Sequence, residues 1–557
     1  MKRRDFLASC AALGVAACTG DRFQPPLPPG ELTGSNFQRG HRLRQEQGAE
    51  PFSAPSEIRR VPLLIVGGGI GGLSAGWKLQ RSGFNDFLIA ELEDRVGGNS
   101  RYGENAVCRY PLGAHYLPLP GPEARVVREM LADFGVLQGD PYAAKPSYDE
   151  RYLCATPQER LYHKGQWQDG LLPHAADAEE QRRIEGFQRR IETWRQWRDR
   201  RGRRAFAIPM EYSSREPAVL ALDRITLGEW LRREGLDCPA LRWYLHYASR
   251  DDFGTGIDAV SAWAGLHYFA CRDGEASNAA SDIVLTAPEG NGWLVRRLEE
   301  RLKPRLLCGT MVTAIRERDK HVEADLWLAS EQRSIRIEAK QLIWAGPLFV
   351  LGHVWHEAPA VVQRAVQTCD YAPWLVANLT LSEMPHTRTG APLAWDNVLH
   401  DGAGLGYVVA THQQLRVRPG ATVITYYRAF AEADSRGVRQ RLLKTSRDAW
   451  AREILAELSA PHPELREITT RLDVFRHGHA MIRPLPGLIW GDASPRRELT
   501  EPRPSGSGLG VGRIRLAHAD LSGMSLFEEA SYRGALAAEQ SLAALGVHHD
   551  SLVAHGT

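Results

Sequence analysis

Cysteine is scarce in this chain, with eight in 557 residues. Cys10 and Cys18 fall among the first eighteen positions, while Cys108, Cys154, Cys238, Cys271, Cys308 and Cys369 stand singly, with no CxxC pair. That spacing excludes a thiolate zinc site and leaves buried free thiols as the expectation. Charge of one sign is lacking too: 69 Lys and Arg against 67 Asp and Glu leave +2, too near balance for a nucleic-acid partner. No apolar run reaches the ~20 residues of a transmembrane helix. No internal repeat is visible. What remains is ordinary globular composition, 43% hydrophobic and 24% charged, in a chain longer than the ~250–300 residues one core can serve. Two or more core-bearing units are expected.

The N-terminus carries address information. Residues 2–7, KRRDFL, resemble a twin-arginine export signal, with Arg3 and Arg4 as the pair. The apolar stretch LASCAALGVAAC is too short to span a membrane, and Val15-Ala16-Ala17-Cys18 resembles a lipobox, which would make Cys18 a lipid anchor. The expected partners here are the export machinery and a membrane surface, and the expected location is the periplasm. Residues 19–57, rich in Pro, Gly and Gln without apolar periodicity, read as a tether.

Glycine is concentrated at one place. The stretch 63–100 holds nine, and Gly67, Gly69 and Gly72 fit G-x-G-x-x-G where the apolar run VPLLIVGG hands over to a helical segment, with Gly71 between them. The first glycine permits a tight turn, the second lets backbone approach a pyrophosphate, and the third lets helix and strand pack closely. The phosphates then lie on a positive helix end. A second apolar run, DFLIAE, ends in Glu91, 19 residues after Gly72, where a carboxylate can accept both hydroxyls of an adenosine ribose. Between roughly 120 and 285 the pattern turns helical: Ile184, Phe187, Ile191, Trp194 and Trp197 fall on one face of a basic helix, and Thr226 with Glu229 has capping-box spacing.

After Glu91 the sequence LEDRVGGNS resembles the E-x-x-x-R-x-G-G loop of the flavin-dependent amine oxidase and phytoene desaturase superfamily. The resemblance implies FAD as cofactor, with Arg95, Gly97, Gly98, Asn99 and Ser100 lining its pyrophosphate and ribityl chain. It continues in Gly290-Asn291-Gly292 followed by MVTAI, placing Val312 against the adenine. It continues again in LIWAGP and in LAHADLSGMSLFEEASYRGALAAEQSL, where Asp520 matches the closing motif's acid and Ser525–Phe527 the backbone that faces the flavin. Ala519, Glu529 and Arg533 depart from that motif, standing where glycine, glycine and serine are usual.

The expected fold is α/β: a doubly wound, Rossmann-like FAD-binding domain (61–120, 286–350 and 483–545) interleaved with a sheet-plus-helix substrate domain (121–285 and 351–482), as in amine oxidases. It lies between a signal and tether (1–18 and 19–60) and a tail (546–557). His115, Trp395 and His479 are the candidates to line a small-molecule substrate site above the flavin ring, with no metal expected. The expected activity is dehydrogenation of a C–H donor such as an amine or polyamine. A desaturase or isomerase of phytoene desaturase type and a non-catalytic flavin-bearing envelope protein stand as alternatives. The family's oxidases carry a lysine near flavin N5 on a strand whose counterpart here, YAPWLVANLTL, has none, with Val376 and Ala377 at those positions. Oxygen is therefore expected to be a sluggish acceptor.

Overall fold

The computed structural model describes residues 26–44, 51–386, 388–415, 420–492, 494–500 and 512–553. The twin-arginine pair, Cys10 and Cys18 lie outside the described residues.

The first sheet runs in the order Leu306–Leu307, Phe87–Ala90, Ile58–Val66, Arg333–Trp344, Val322–Leu328, Thr310–Glu317, and Ile514–Leu516 also pairs with Arg333–Trp344. Pairing is parallel from Leu306 to Ile514 and antiparallel in the outer strands. The apolar run is buried on both faces, as parallel strands are. Leu63 and Ile65 pack with the helices Ile70–Arg81, Gly292–Leu302 and Phe527–Ala544, while Leu64 and Val66 pack with Leu348–Val354 and Ala360–Thr368. The doubly wound expectation is met.

The second sheet is mixed, in the order Leu32–Gly34, Thr469–Ile482, Tyr371–Leu381, Thr422–Ala429, Gly406–Val409, Asp396–Leu399, Glu159–His163, Gln166–Asp169. Every residue of Tyr371–Leu381 is buried, because both faces are covered. One face packs on the helix Arg447–Leu458 and the other, with Trp374, Val376 and Tyr427, turns toward the first domain. Helices Ala178–Gln196, Leu227–Arg233, Pro239–Phe253 and Ala262–Ala270 form a separate apolar cluster beside it. Thr226 caps its helix as its spacing predicts, its hydroxyl accepting from the Glu229 N–H at 3.1 Å.

Three expectations need correction. Residues 26–44 are not a loose tether: Leu32–Gly34 adds a strand to the edge of the second sheet, and Phe37–His41 forms a helical turn. Leu348–Thr368 belongs to the first domain, because its apolar side covers that sheet, so the crossing to the second sheet comes at Tyr371. The six described cysteines are free, but Cys308 is exposed and Cys369 only partly buried.

Candidate functional site

The two sheets meet over one cavity of about 1030 Å³. Its floor is the turn at the end of Ile58–Val66. Gly67 has φ 106°, a left-handed conformation glycine adopts without cost. A Cβ on Gly72 would lie 1.8 Å from the Gly67 carbonyl, so helix and strand approach as closely as glycine allows. A Cβ on Gly71 would meet the Ala517 carbonyl at 2.3 Å, which makes Gly71 a packing residue as well as part of the cavity wall. Gly69 differs: a Cβ there meets only Gly98 Cα at 3.9 Å and otherwise points into the cavity. The helix Ile70–Arg81 starts at Gly69 with no capping side chain, leaving its first N–H groups for a ligand.

Glu91 is buried on the wall, its carboxylate accepting from Gly68 N–H at 2.5 Å and Glu93 N–H at 2.8 Å. Burial raises its pKa, opposed by those two N–H groups and by Arg101. Gly98, Asn99, Ser100 and Val312 also line the cavity, and the Asn99 side chain donates to the Ala480 carbonyl, tying the loop to the second domain. Gly97 is off the wall and stitches the loop through its N–H to the Gly68 carbonyl (2.8 Å). Arg95 does not reach the cavity. It lies over the Tyr102 ring at 4.7 Å and donates to its hydroxyl at 2.8 Å. From this loop the arginine that reaches the wall is Arg101, paired with Glu93 at 3.2 Å.

Asp520 is on the wall and accepts from Leu348 N–H (2.9 Å) and the Tyr371 hydroxyl (2.7 Å), joining the first domain to the start of the second sheet. Burial works against its charge, but His518 and these donors hold its pKa below the ordinary value. The final helix, Phe527–Ala544, starts without a capping side chain and presents Ser525–Glu528 to the cavity. The three departures from the expected motif have neighbours that explain two of them. Glu529 accepts from Met210 N–H at 2.7 Å, and Arg533 donates to Ser522 (3.0 Å) and to Glu211 (2.6 Å). Burial pushes Glu211 up, yet Arg533, Arg496 and Arg215 hold it at about 2. These two side chains tie the final helix to Met210, Glu211 and Ser522. Nothing in the structure explains Ala519.

Of the catalytic candidates, His115 lines the cavity, stacked on Tyr427 at 4.4 Å, and burial lowers its pKa to about 3. Trp395 stands behind it at 5.5 Å, off the wall. His479 lines another part, stacked on Phe349 at 4.2 Å. The three do not form one constellation.

Three acids on the wall carry no motif in the sequence. Asp251 and Asp252 end the helix Pro239–Phe253, and Glu528 begins the final helix; all three line the cavity beside Tyr116 and Arg272. Arg272 holds Asp252 through two contacts of 2.6 Å, while the hydrogen-bond partner of the Asp251 carboxylate among the described residues is the Tyr116 hydroxyl at 3.4 Å. Burial raises Asp251 to about 7, helped by Asp252, and burial raises Glu528 to about 7. The one signal in sequence was two adjacent acids in RDDFG at the end of a largely apolar helix. Among the described residues no group of three or more His, Cys, Asp or Glu could hold a metal ion.

Residues 65–134 match the family model for an NAD(P)-binding Rossmann-like domain. No curated protein matches the chain. Among solved structures, a wild-type putrescine oxidase bound to putrescine superposes with TM-score 0.61 at 14% identity, covering 87% of this chain and 100% of its own. Cyclohexylamine oxidase from Brevibacterium oxydans IH-35A gives 0.61 at 14% identity over 87% and 99%. A CLA-producing fatty acid isomerase from P. acnes gives 0.59 at 16% over 86% and 98%. The chain has the amine oxidase-like fold, with a Rossmann-like dinucleotide domain and a mixed substrate sheet. Likeness at such identities extends to the fold alone.

Proposed function

We propose that this protein is an exported FAD-dependent oxidoreductase that dehydrogenates a cationic C–H donor, an amine or polyamine. The observation that carries the substrate half is the acid end of the cavity, where Asp251, Asp252 and Glu528 face one arginine. An ammonium group supplies the missing counter-charge and lowers the raised carboxyl pKa values.

The residues present suit the cofactor. Gly69 leaves room for a pyrophosphate at an uncapped helix end, Glu91 stands at ribose distance in sequence and on the wall, and Val312 and Ser525–Phe527 flank the two ends. Bound there, FAD supplies the hydride acceptor, N5. The chain's own groups do the rest. Asp251 holds the ammonium and, with a pKa of about 7, accepts the proton the substrate nitrogen loses. Arg272 keeps Asp252 ionised and in place. His115, held neutral by burial and stacked on Tyr427, is an aromatic wall and only a weak proton acceptor. Val376 and Ala377 are fully buried and no lysine lies on Tyr371–Leu381, which supports an acceptor other than oxygen.

Export through the twin-arginine route is part of the same proposal, since a flavoprotein benefits from folding around its cofactor before it crosses a membrane. Cys18 is its proposed lipid anchor, in the periplasm. The test is anaerobic flavin bleaching by a panel of amines, followed by reoxidation in air and with a quinone. Bleaching with faster reoxidation by quinone is expected. Failure of every amine would overturn the substrate half in favour of an apolar, desaturase-type substrate, and silence in every redox assay would favour a non-catalytic envelope protein.

A further inference from the structure

The same cavity wall carries a second group of charged residues. There the wall is made by Arg44 from the N-terminal segment, Arg436 and Arg439 on the helix Ser435–Lys444, and Arg476 and His479 on the strand Thr469–Ile482. Arg436 and Arg439, three residues apart, share a helix face. None of these four guanidiniums has a carboxylate partner among the described residues. Arg439 donates to the Tyr371 carbonyl at 2.9 Å, and Arg476 donates to carbonyls, the best placed that of Leu443 at 3.0 Å. The Arg44 and Arg436 side chains have no hydrogen bond or ion pair among the described residues.

Two acids lie near Arg439 and are engaged elsewhere: Asp370 pairs with Arg483 at 2.8 Å and accepts from Ser435 at 2.6 Å, and Asp434 caps the helix by accepting from Gly437 N–H at 2.8 Å. Burial, then the positive neighbours Arg439, Arg44 and His41, hold His479 neutral, near 3. The other arginines on the cavity wall are neutralised, Arg101 by Glu93 and Arg272 by Asp252. Unpaired guanidiniums in a concave wall concentrate anions, and their planar forks match phosphate oxygens.

We propose that this basic arm is a binding site for a phosphate-class polyanion. Two sources share that chemistry: the diphosphate of the dinucleotide in the adjoining cradle, whose expected partner Arg95 faces away, or a separate phosphorylated ligand. The site is independent of which substrate occupies the acid end.

The test is titration of inorganic pyrophosphate into the flavin-loaded full-length protein, by calorimetry, with flavin release measured alongside. Arg44→Ser with Arg436→Ser is the informative variant, since both side chains are exposed and unpaired. Arg60→Ser, which loses an exposed pair with Glu338, is the control. If a separate ligand uses the arm, loaded protein binds pyrophosphate and the double variant weakens it by about tenfold or more, with flavin retention unchanged. If the arm serves the dinucleotide, loaded protein ignores pyrophosphate and the double variant releases flavin about tenfold faster. Either result supports the site. A double variant that matches the control in both measurements overturns it.

Discussion

Gly69→Val separates cofactor binding from folding. Gly69 has φ −74° and ψ −175°, an extended conformation that valine adopts without strain. A Cβ built there has no neighbour nearer than 3.9 Å, so the scaffold has no reason to reject it. The branched methyl groups instead enter the space above the uncapped helix end. A phosphate oxygen must come within about 3 Å of those N–H groups to bond to them. Losing two charge-assisted hydrogen bonds at ~1.5–3 kcal/mol each costs ~3–6 kcal/mol. That is a loss of affinity on the order of 10² to 10⁴. Gly72→Ala is the contrast, since its Cβ would sit 1.8 Å from the Gly67 carbonyl and the helix must move. The expected outcome is that Gly69→Val purifies folded and colourless, with a thermal transition like that of flavin-stripped wild type. Gly72→Ala is expected to be poorly folded. Flavin content is read from the visible spectrum after gel filtration, and fold from circular dichroism. Full flavin occupancy in Gly69→Val would refute the assignment of this loop to the phosphates.

Asp251→Asn should raise the dissociation constant of a bleaching amine by about tenfold or more, because it removes the carboxylate without a full counter-charge of its own. In wild type the same carboxyl, at about 7, must be ionised to hold a cation, so amine binding should weaken about tenfold between pH 8 and pH 6. Equal binding at the two pH values would count against it. For folding the sign is opposite: a raised carboxyl pKa gives stability that is present at low pH and lost as pH rises through about 7, so the amine-free protein should melt lower at pH 8 than at pH 6. Gly30→Ala would put a Cβ 1.8 Å from the Leu472 carbonyl and should unseat the N-terminal segment. That segment lines the cavity and is tied to the cofactor loop by Asn36 N–H to Glu93 at 2.9 Å, so flavin should leave several-fold faster while the fold persists. Unchanged flavin release would show that the segment is not part of the cofactor site. Arg3→Lys with Arg4→Lys should strand the protein inside the cell, and Cys18→Ala should release it from membranes; fractionation reads both.

Local order along the chain determined the dinucleotide cradle. A buried strand, a glycine turn, a helix and an acid follow one another within 63–91, and their close packing depends on main-chain geometry that glycine spacing records directly. Capping at Thr226 was legible for the same reason, since its partner is three residues away. The rest was decided by contacts distant in sequence. Arg95 carries the expected motif position, but Tyr102 draws it off the cavity, and a motif does not record which way a side chain turns. The N-terminal segment reads as a tether because it has no apolar period, yet it is held by main-chain pairing to Val474–Arg476, which any sequence able to extend can make. The acids 251, 252 and 528 and the arginines 44, 436, 439 and 476 lie scattered on separate elements. Only the closing of the two sheets over one cavity brings them to its wall, because charge clusters of this kind are formed by tertiary proximity and leave no spacing in the chain.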